Sequence, residues 1–357
     1  MKIIIIVGAR PQFIKLAALM KAANHFPPII IKTIHTGQHY DPNMSGNFFL
    51  EMKMKPPDYN CNISETDRLV AIEKMTGAIE QILMAEEPEW VIVIGDTNST
   101  LAGALAAKKS NIKIAHIEAG LRSFNKEMPE ESNRIEVDKM ADILFPPTLT
   151  AENNLLTESW NLKSRNIKLV GDLMLDNFNC FSAPEFEQKA EQKNLPNPFI
   201  LATLHREYLL SNREALANVI QALNEINESV PVVFSAHPRT FKMLSNMGTM
   251  STFRIIPPQS YLSIIVMVKN CMMVITDSGG LQREAYFARK GSLCIRTETE
   301  WQELEKAKVT RVTGYDTTSI LESYKDMSSK TLNFDQHFFG AGNAGRQIFE
   351  SIISFQG

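Results

Sequence analysis

The chain has 357 residues, 44% hydrophobic and 22% charged, which is typical of a globular enzyme and too long for one ordinary core. Its net charge of −3 argues against a nucleic-acid or anionic-membrane surface, and no apolar run is long enough to span a bilayer. Its four scattered cysteines form no C-x-x-C pair, which argues against a zinc site or disulfide framework and favours a reducing cytoplasm.

The first part of the chain alternates short apolar runs with helical patterns, which predicts a doubly wound α/β domain. Residues 3–7 form a β-branched run that ends in the turn G-A-R-P-Q-F. This turn lacks the G-x-G-x-x-G fingerprint of dinucleotide-binding domains. Arg10 lies in the turn and Lys15 about one helical turn beyond it. Two cations at the end of a first strand predict an anionic ligand there.

Three carboxylates follow the next predicted strands. Strands at residues 90–94 and 112–115 end just before Asp96 and Glu118, and Glu130 lies in the segment beyond. The carboxyl edge of an open parallel sheet is where ligands bind. Carboxylates that converge there repel one another and raise at least one pKa, which suits paired acid and base chemistry. For Asp96 alone, a helix N-cap is an equally good interpretation.

The polar, proline-containing stretch from about residue 179 to 198 predicts a domain boundary. We expect a first domain at 1–180, a second at 181–340, and a C-terminal helix at 341–357 that packs back on the first. In the second series, the strand at 199–203 precedes His205, a candidate cation.

The strand at 272–276 precedes a glycine-rich turn and a helical pattern. Bare N–H groups at a helix N-terminus, with glycines that allow close approach, predict a diphosphate seat. Glu284, one turn into the helix, is placed to hold a sugar hydroxyl. The alternative is an ordinary glycine-rich turn. The seat would comprise Ser278, Gly279 and Gly280.

Seven motifs, in order along nearly the whole chain, resemble the non-hydrolysing UDP-N-acetylglucosamine 2-epimerases. The resemblance implies an α/β fold of two Rossmann-like domains facing an interdomain cleft, which is glycosyltransferase-B-like. It also implies a UDP-sugar substrate, a homodimer, and no NAD or metal cofactor. The motifs are G-A-R-P-Q-F-I-K at 8–15, G-Q-H at 37–39, G-D-T-N-S at 95–99, H-I-E-A-G-L-R at 116–122, P-E-E-S-N-R at 129–134, T-L-H-R-E at 203–207 and T-D-S-G-G-L-Q-R-E-A at 276–285.

The resemblance also implies the chemistry. UDP leaves by anti-elimination across C1–C2, and the 2-acetamidoglucal is reprotonated on the opposite face before UDP adds back. Opposite faces need separate acids and bases. The implied catalytic residues are Asp96, Glu118, Glu130, His205 and Lys15, with the carboxylate roles left open. The implied UDP-binding residues are Arg10, Arg134, Asp277, Ser278, Gly279, Gly280 and Glu284, and Gln38 and His39 match a region where some bacterial members bind an activating second UDP-GlcNAc.

Several positions depart from the family pattern, including Gly171-Asp172-Leu173 in place of the usual G-N-T. The usual Q-E-E contains Arg283, the usual T-E-R-P-E contains Trp301 in place of a nucleotide-contacting arginine, and the usual H-x-N-P carries Arg239. The leading prediction is C2 epimerisation of UDP-GlcNAc to UDP-ManNAc. One alternative is the same inversion on UDP-2,3-diacetamido-glucuronate, whose extra carboxylate Arg283 or Arg239 would meet. The others are a hydrolysing epimerase releasing ManNAc, a glycosyltransferase on the same fold, and a non-catalytic sugar-nucleotide sensor.

Overall fold

The structure is a computed structural model that describes residues 1–37, 49, 51–52, 54–125, 127–158, 166–182, 195–236, 238–247 and 251–355. The chain divides into two compact units. The first comprises Met1–Asn177 and His337–Gly357, and the second Phe178–Gln336. None of the described helices is long and apolar enough to cross a membrane.

The first unit is a parallel sheet with the strand order β3-β2-β1-β4-β5-β6-β7. This order reverses beside β1, as in a doubly wound Rossmann-like domain. Its elements are β1 (Lys2–Val7), α1 (Arg10–Ala23), β2 (Ile30–His35), β3 (Tyr59–Asn60), α2 (Arg68–Glu86), β4 (Trp90–Ile94), α3 (Asn98–Lys109), β5 (Lys113–Ile117), α4 (Pro129–Met140), β6 (Ile143–Phe145), α5 (Leu149–Thr157), β7 (Asn166–Ile167) and α6 (Leu173–Phe181), whose end passes into the second unit.

The second unit repeats the arrangement in the order β10-β9-β8-β11-β12-β13. Its elements are β8 (Ile200–Thr203), α7 (Glu207–Ser211), α8 (Arg213–Asn227), β9 (Val232–Ser235), α9 (Pro238–Met247), β10 (Arg254–Ile256), α10 (Tyr261–Asn270), β11 (Met273–Thr276), α11 (Gly279–Phe287), β12 (Gly291–Cys294), α12 (Gln302–Lys306), β13 (Thr310–Val312) and α13 (Thr317–Ser328); α14 (Ala344–Ile353) belongs to the first unit. The predicted α/β class with two parallel sheets is confirmed.

The central strands are buried on both faces. Every residue from Ile3 to Val7 and from Val91 to Ile94 is fully buried, which explains why these strands read as continuous apolar runs rather than alternating ones. The alanine-rich helix α3 lies directly on them. A Cβ at Gly103 would come within 2.7 Å of Ile6. The absence of a side chain there lets the helix approach the sheet and hold the ends of β1 and β4 together.

Asp176 on α6 anchors the C-terminal helix. Its two carboxylate oxygens accept hydrogen bonds from the backbone N–H groups of Ala344 at 3.0 Å and Gly345 at 2.9 Å. A Cβ at Gly345 would come within 2.9 Å of Ala22, so the start of α14 lies tightly against α1. Burial raises the pKa of the Asp176 carboxyl to about 6, although both hydrogen bonds favour the charged form.

We expect this carboxyl to make the stability of the protein fall as the pH rises. Its pKa is higher in the folded chain than the ordinary 3.8, so its contribution is fully present below pH 4 and is lost through pH 6. The linkage is on the order of 3 kcal/mol between pH 4 and pH 8. Urea unfolding of D176N at several pH values should lack this slope. E350Q, which changes an exposed carboxylate on α14, should retain it, and an unchanged slope in D176N would contradict the assignment.

Candidate active site

Gln12 holds together the two turns at the point where the first sheet reverses its strand order. Its side-chain oxygen accepts from the backbone N–H groups of Gly8 at 2.7 Å and Ala9 at 3.0 Å, and its amide donates to the Ile94 carbonyl at 2.8 Å. The start of α1 is thereby fixed to the end of β4. Sequence reasoning missed Gln12, although it is the polar residue inside the G-A-R-P-Q-F turn.

Lys15 and Glu118 form a buried ion pair at this edge of the sheet. Their side chains are 6% and 8% exposed, and a hydrogen bond joins them. Glu118 follows β5 directly and has a φ of +70°, a left-handed conformation that is uncommon for a residue with a side chain. Such strain tends to occur where function over-determines the backbone. A Cβ at Gly95 would lie 3.2 Å from the Glu118 carboxylate.

Asp96 forms a second ion pair, with Arg134 of α4. The N-cap of α3 is Thr97, which accepts from the Thr100 N–H, so the capping interpretation of Asp96 is wrong. Burial alone would lower the pKa of Arg134, but Asp96, Glu118 and a further carboxylate raise it above its ordinary value. Arg134 is therefore a permanent cation that interacts electrostatically with both predicted catalytic carboxylates.

The third predicted carboxylate is arranged differently. Glu130 is exposed in the first turn of α4, and the described part of the chain gives it no hydrogen bond or ion pair. Adjacent helical residues point about 100° apart, so the next residue turns inward instead. Glu131 accepts from the N–H groups of Ser123 at 2.8 Å and Phe124 at 3.1 Å. The structure thus does not join Glu130 to the other carboxylates, and Glu131 fixes the preceding loop.

A buried network of hydrogen-bonded and charged side chains holds the Gly95 turn. Most of its members were not predicted from the sequence. His116 lies with one ring nitrogen 2.6 Å from Asp138 and the other 2.8 Å from the Gly95 carbonyl. Arg122 bridges Asp138 at 2.7 Å and Glu158 at 2.6 Å. Burial alone would raise the pKa of Asp138, but His116 and Arg122 hold it below its ordinary value. The network therefore keeps the Gly95 turn in place.

In the second unit, His205 and Asp277 meet where that sheet reverses its strand order. The His205 Nδ1 is 2.9 Å from Asp277, which also accepts from the backbone N–H groups of His205 at 2.9 Å and Arg206 at 2.8 Å. Burial alone would raise the pKa of Asp277, but these hydrogen bonds hold it below its ordinary value. The Asp277 side chain is fully buried and that of His205 is 50% exposed. Asp277 is therefore placed to orient His205 rather than to contact a ligand itself.

The two glycines of the predicted diphosphate seat have different surroundings. Ser278 is the N-cap of α11 and accepts from the Leu281 N–H. A Cβ at Gly279 would come within 2.1 Å of the Glu300 carboxylate, whereas one at Gly280 would meet little besides the Ser278 hydroxyl. Gly279 thus lies against the Glu300 carboxylate inside the protein, and Gly280 leaves the helix N-terminus open to an anion.

The loop after β12 brings two of the departures from the family pattern into contact. The Arg283 guanidinium lies 4.2 Å from the centre of the Trp301 ring, within the range of a cation–π interaction. Both residues are buried. The neighbouring Glu300 pairs with Arg296 at 2.6 Å. Burial alone would raise the pKa of Glu300, but Arg296 and Arg206 lower it. The loop thus carries an internally neutralised acid beside the α11 N-terminus.

The remaining predicted residues are placed as follows. Glu284 lies buried on α11, one turn from its start. Gln38 and His39 lie outside the described residues, as do the side chains of Arg10 and Arg239. The predictions for these four residues therefore stay predictions.

Comparison with known proteins places the chain in a family. The model of the UDP-N-acetylglucosamine 2-epimerase family matches residues 21–353. The chain belongs to the UDP-N-acetylglucosamine 2-epimerase family. It is 42% identical to a UDP-2,3-diacetamido-2,3-dideoxy-D-glucuronate 2-epimerase of Pseudomonas aeruginosa over 356 residues, 99% of each chain. It is 38% identical to a UDP-N-acetylglucosamine 2-epimerase of Methanococcus maripaludis, over 99% of this chain and 98% of that one.

Comparison with solved structures supports the same family. The crystal structure of Methanocaldococcus jannaschii UDP-GlcNAc 2-epimerase in complex with UDP-GlcNAc and UDP superposes with a TM-score of 0.89 at 34% identity, covering 99% of this chain and 100% of that one. The glycosyltransferase-B-like fold and the predicted family are confirmed. The protein is a nucleotide-sugar 2-epimerase, which is an isomerase.

Proposed function

We propose that this enzyme reversibly inverts C2 of UDP-2,3-diacetamido-2,3-dideoxy-D-glucuronate in preference to UDP-GlcNAc. The main support for this choice of substrate is the contact between Arg283 and Trp301. Relative to the usual family residues, Arg for Glu adds two positive charges and Trp for Arg removes one. The pair therefore gains a positive charge, which suits a sugar that carries an additional carboxylate. The 42% identity to the Pseudomonas aeruginosa enzyme supports the same choice.

In the proposed reaction, a carboxylate removes the proton at C2 while the C1–O bond breaks and UDP leaves from the opposite face. A second acid protonates C2 of the 2-acetamidoglucal on its other face, and UDP adds back to C1. The first unit supplies the candidates for these proton transfers in Asp96 and Glu118, each paired with a cation.

The second unit supplies the groups that would stabilise the leaving diphosphate. Negative charge grows on it as the C1–O bond breaks, and preorganised donors stabilise such charge most effectively. The open N-terminus of α11 beside Gly280 offers bare N–H groups, and His205 is held in one orientation by Asp277. Glu284 would hold the ribose. The homodimer implied by the family resemblance stays a prediction.

A substrate panel in deuterated water tests the proposal. We expect NMR to show deuterium at C2 and formation of the C2 epimer from the diacetamido-glucuronate. The kcat/KM for this sugar should be at least about tenfold above that for UDP-GlcNAc, because one hydrogen bond to a charged group contributes about that factor. R283A should reduce this preference. R289A is the matched control, because Arg289 is an exposed arginine that pairs with Asp335 near the end of the same helix.

Other outcomes would contradict the proposal in different ways. Equal or faster turnover of UDP-GlcNAc would identify it as the substrate, as for the Methanococcus maripaludis relative. Free UDP accumulating with turnover would indicate a hydrolysing epimerase. If neither sugar exchanged its C2 proton for deuterium, the result would favour a non-catalytic sugar-nucleotide sensor.

A further inference from the structure

Glu303 on α12 is a buried carboxylate for which the described residues provide no hydrogen-bond partner. It is 8% exposed, and within the described part of the chain neither of its side-chain oxygens has a hydrogen-bond partner. Burying a carboxylate in this way is unfavourable, so buried acids are almost always paired or hydrogen-bonded. A buried carboxylate of this kind is a candidate to receive its hydrogen bonds from a bound ligand.

The position of Glu303 connects it with the α11 N-terminus. Trp301 is the N-cap of α12, two residues before Glu303. The Trp301 N–H donates to the Thr299 hydroxyl at 3.2 Å, and that hydroxyl donates to Gln282 of α11 at 2.9 Å. The Trp301 indole nitrogen is also 3.4 Å from where a Cβ on Gly279 would lie. The first turn of α12 is thereby fixed to the first turn of α11.

The chemistry of Glu303 selects the kind of partner. A phosphate is excluded because two anions would repel each other without water between them. A metal ion is disfavoured, since the described residues contain no group of three metal-ligating side chains. Arg296, which lies in the loop that precedes α12, is already paired with Glu300. What remains is a pair of neutral donors, such as hydroxyl or amide N–H groups on adjacent ring atoms, which two carboxylate oxygens can accept together.

We propose that Glu303 is a substrate-binding residue that accepts hydrogen bonds from adjacent neutral donors of the UDP-sugar, on its ribose or its sugar ring. This inference rests on the proposed function. The ligand supplies the partners that the protein withholds, so the unfavourable burial of Glu303 in the free enzyme is relieved only on binding. Glu303 therefore decreases the stability of the free enzyme and increases its affinity for the substrate.

The test combines stability with affinity in E303Q. Glutamine keeps the shape but removes the charge, so we expect the unliganded variant to melt about 2 °C above wild type. Calorimetry should show the Kd for the UDP-sugar weakened at least about tenfold, because hydrogen bonds to a charged acceptor are lost. E303M should melt higher still. E305Q is the matched control, as Glu305 lies exposed on the same helix and should change neither quantity.

Comparing the binding of UDP with that of the UDP-sugar shows which part of the ligand donates hydrogen bonds to Glu303. Weaker binding of UDP itself assigns them to the ribose, and weaker binding of the UDP-sugar alone assigns them to the sugar ring; either result, with a melting temperature at or above wild type, supports the proposal. Binding within twofold of wild type, or a lower melting temperature, would overturn it. These readouts need no turnover. A wild type that binds UDP but epimerises neither sugar would contradict the proposed function and still leave the role of Glu303 measurable.

Discussion

E118Q is expected to lose epimerase activity by about a thousandfold in kcat, while the Kd for the UDP-sugar changes by less than about threefold. A positioned acid or base contributes a hundredfold to ten-thousandfold, and glutamine can neither accept nor return the C2 proton. Glu118 is buried against Lys15 and held at a left-handed backbone position, so no other described residue can take its place without movement. Loss of C2 deuterium exchange, measured by NMR, reports the chemical step directly.

The result must be separated from damage to the fold, because removing one partner of a buried ion pair leaves Lys15 uncompensated. E118D keeps the charge and shortens the side chain by one methylene, so it should fold well yet stay at least about tenfold slower than wild type. E136Q, which alters an exposed glutamate on α4 that pairs with Lys139, should retain full activity. Full deuterium exchange by E118Q would remove Glu118 from the proton transfers.

Sequence reasoning could predict the parts of this protein that follow local rules. The apolar, β-branched runs at residues 3–7 and 90–94 form buried central strands. A buried strand of this kind can be predicted from the composition of the run itself. The strand–turn–helix pattern places Asp96, Glu118 and His205 at carboxyl edges, because the topology of a doubly wound sheet fixes where each strand ends.

The pairing of charges could not be predicted in this way. Asp138 occupies a helix position that resembles a solvated one, and only the fold brings His116 and Arg122 to it. Glu130 and Glu131 are adjacent glutamates that the sequence alone does not distinguish. Only the register of α4 determines that the Glu131 side chain turns inward. A strand or turn is encoded within a few residues, whereas an ion pair depends on the packing of distant elements.

The glycines show the same limit in another form. Gly279 and Gly280 suggest a single anion seat when read as a motif. In the fold, the Glu300 carboxylate fills the space beside Gly279, and of the two glycines only Gly280 leaves free space. A sequence motif therefore indicates that a backbone comes close to something, but the identity of that neighbour depends on a loop twenty residues later.

D277N is expected to lower kcat by about a hundredfold with little change in UDP affinity. One oxygen of Asp277 accepts two backbone N–H groups, and the other faces His205 Nδ1. An asparagine would keep its carbonyl on the backbone donors and turn its NH₂ toward His205. The ring must then accept at Nδ1, so its proton moves to Nε2. The analogous change in a catalytic triad is damaging because it fixes the wrong tautomer.

This tautomer change distinguishes positioning from simple structural support. Nitrogen-15 NMR of labelled histidine should show the His205 Nδ1 protonated in wild type and unprotonated in D277N. With Nδ1–H held by Asp277, His205 donates to the diphosphate from Nε2 only as an imidazolium, which the Asp277 carboxylate stabilises and an asparagine does not. Because the diphosphate gains charge only as the C1–O bond breaks, loss of this stabilisation should reduce kcat much more than it raises KM. D335N, at an exposed aspartate that pairs with Arg289, should change neither. An unaltered tautomer with a normal kcat would mean that the buried carboxylate serves the loop after β8 and not the reaction. Equal losses in kcat and in UDP affinity would instead point to a displaced α11 N-terminus.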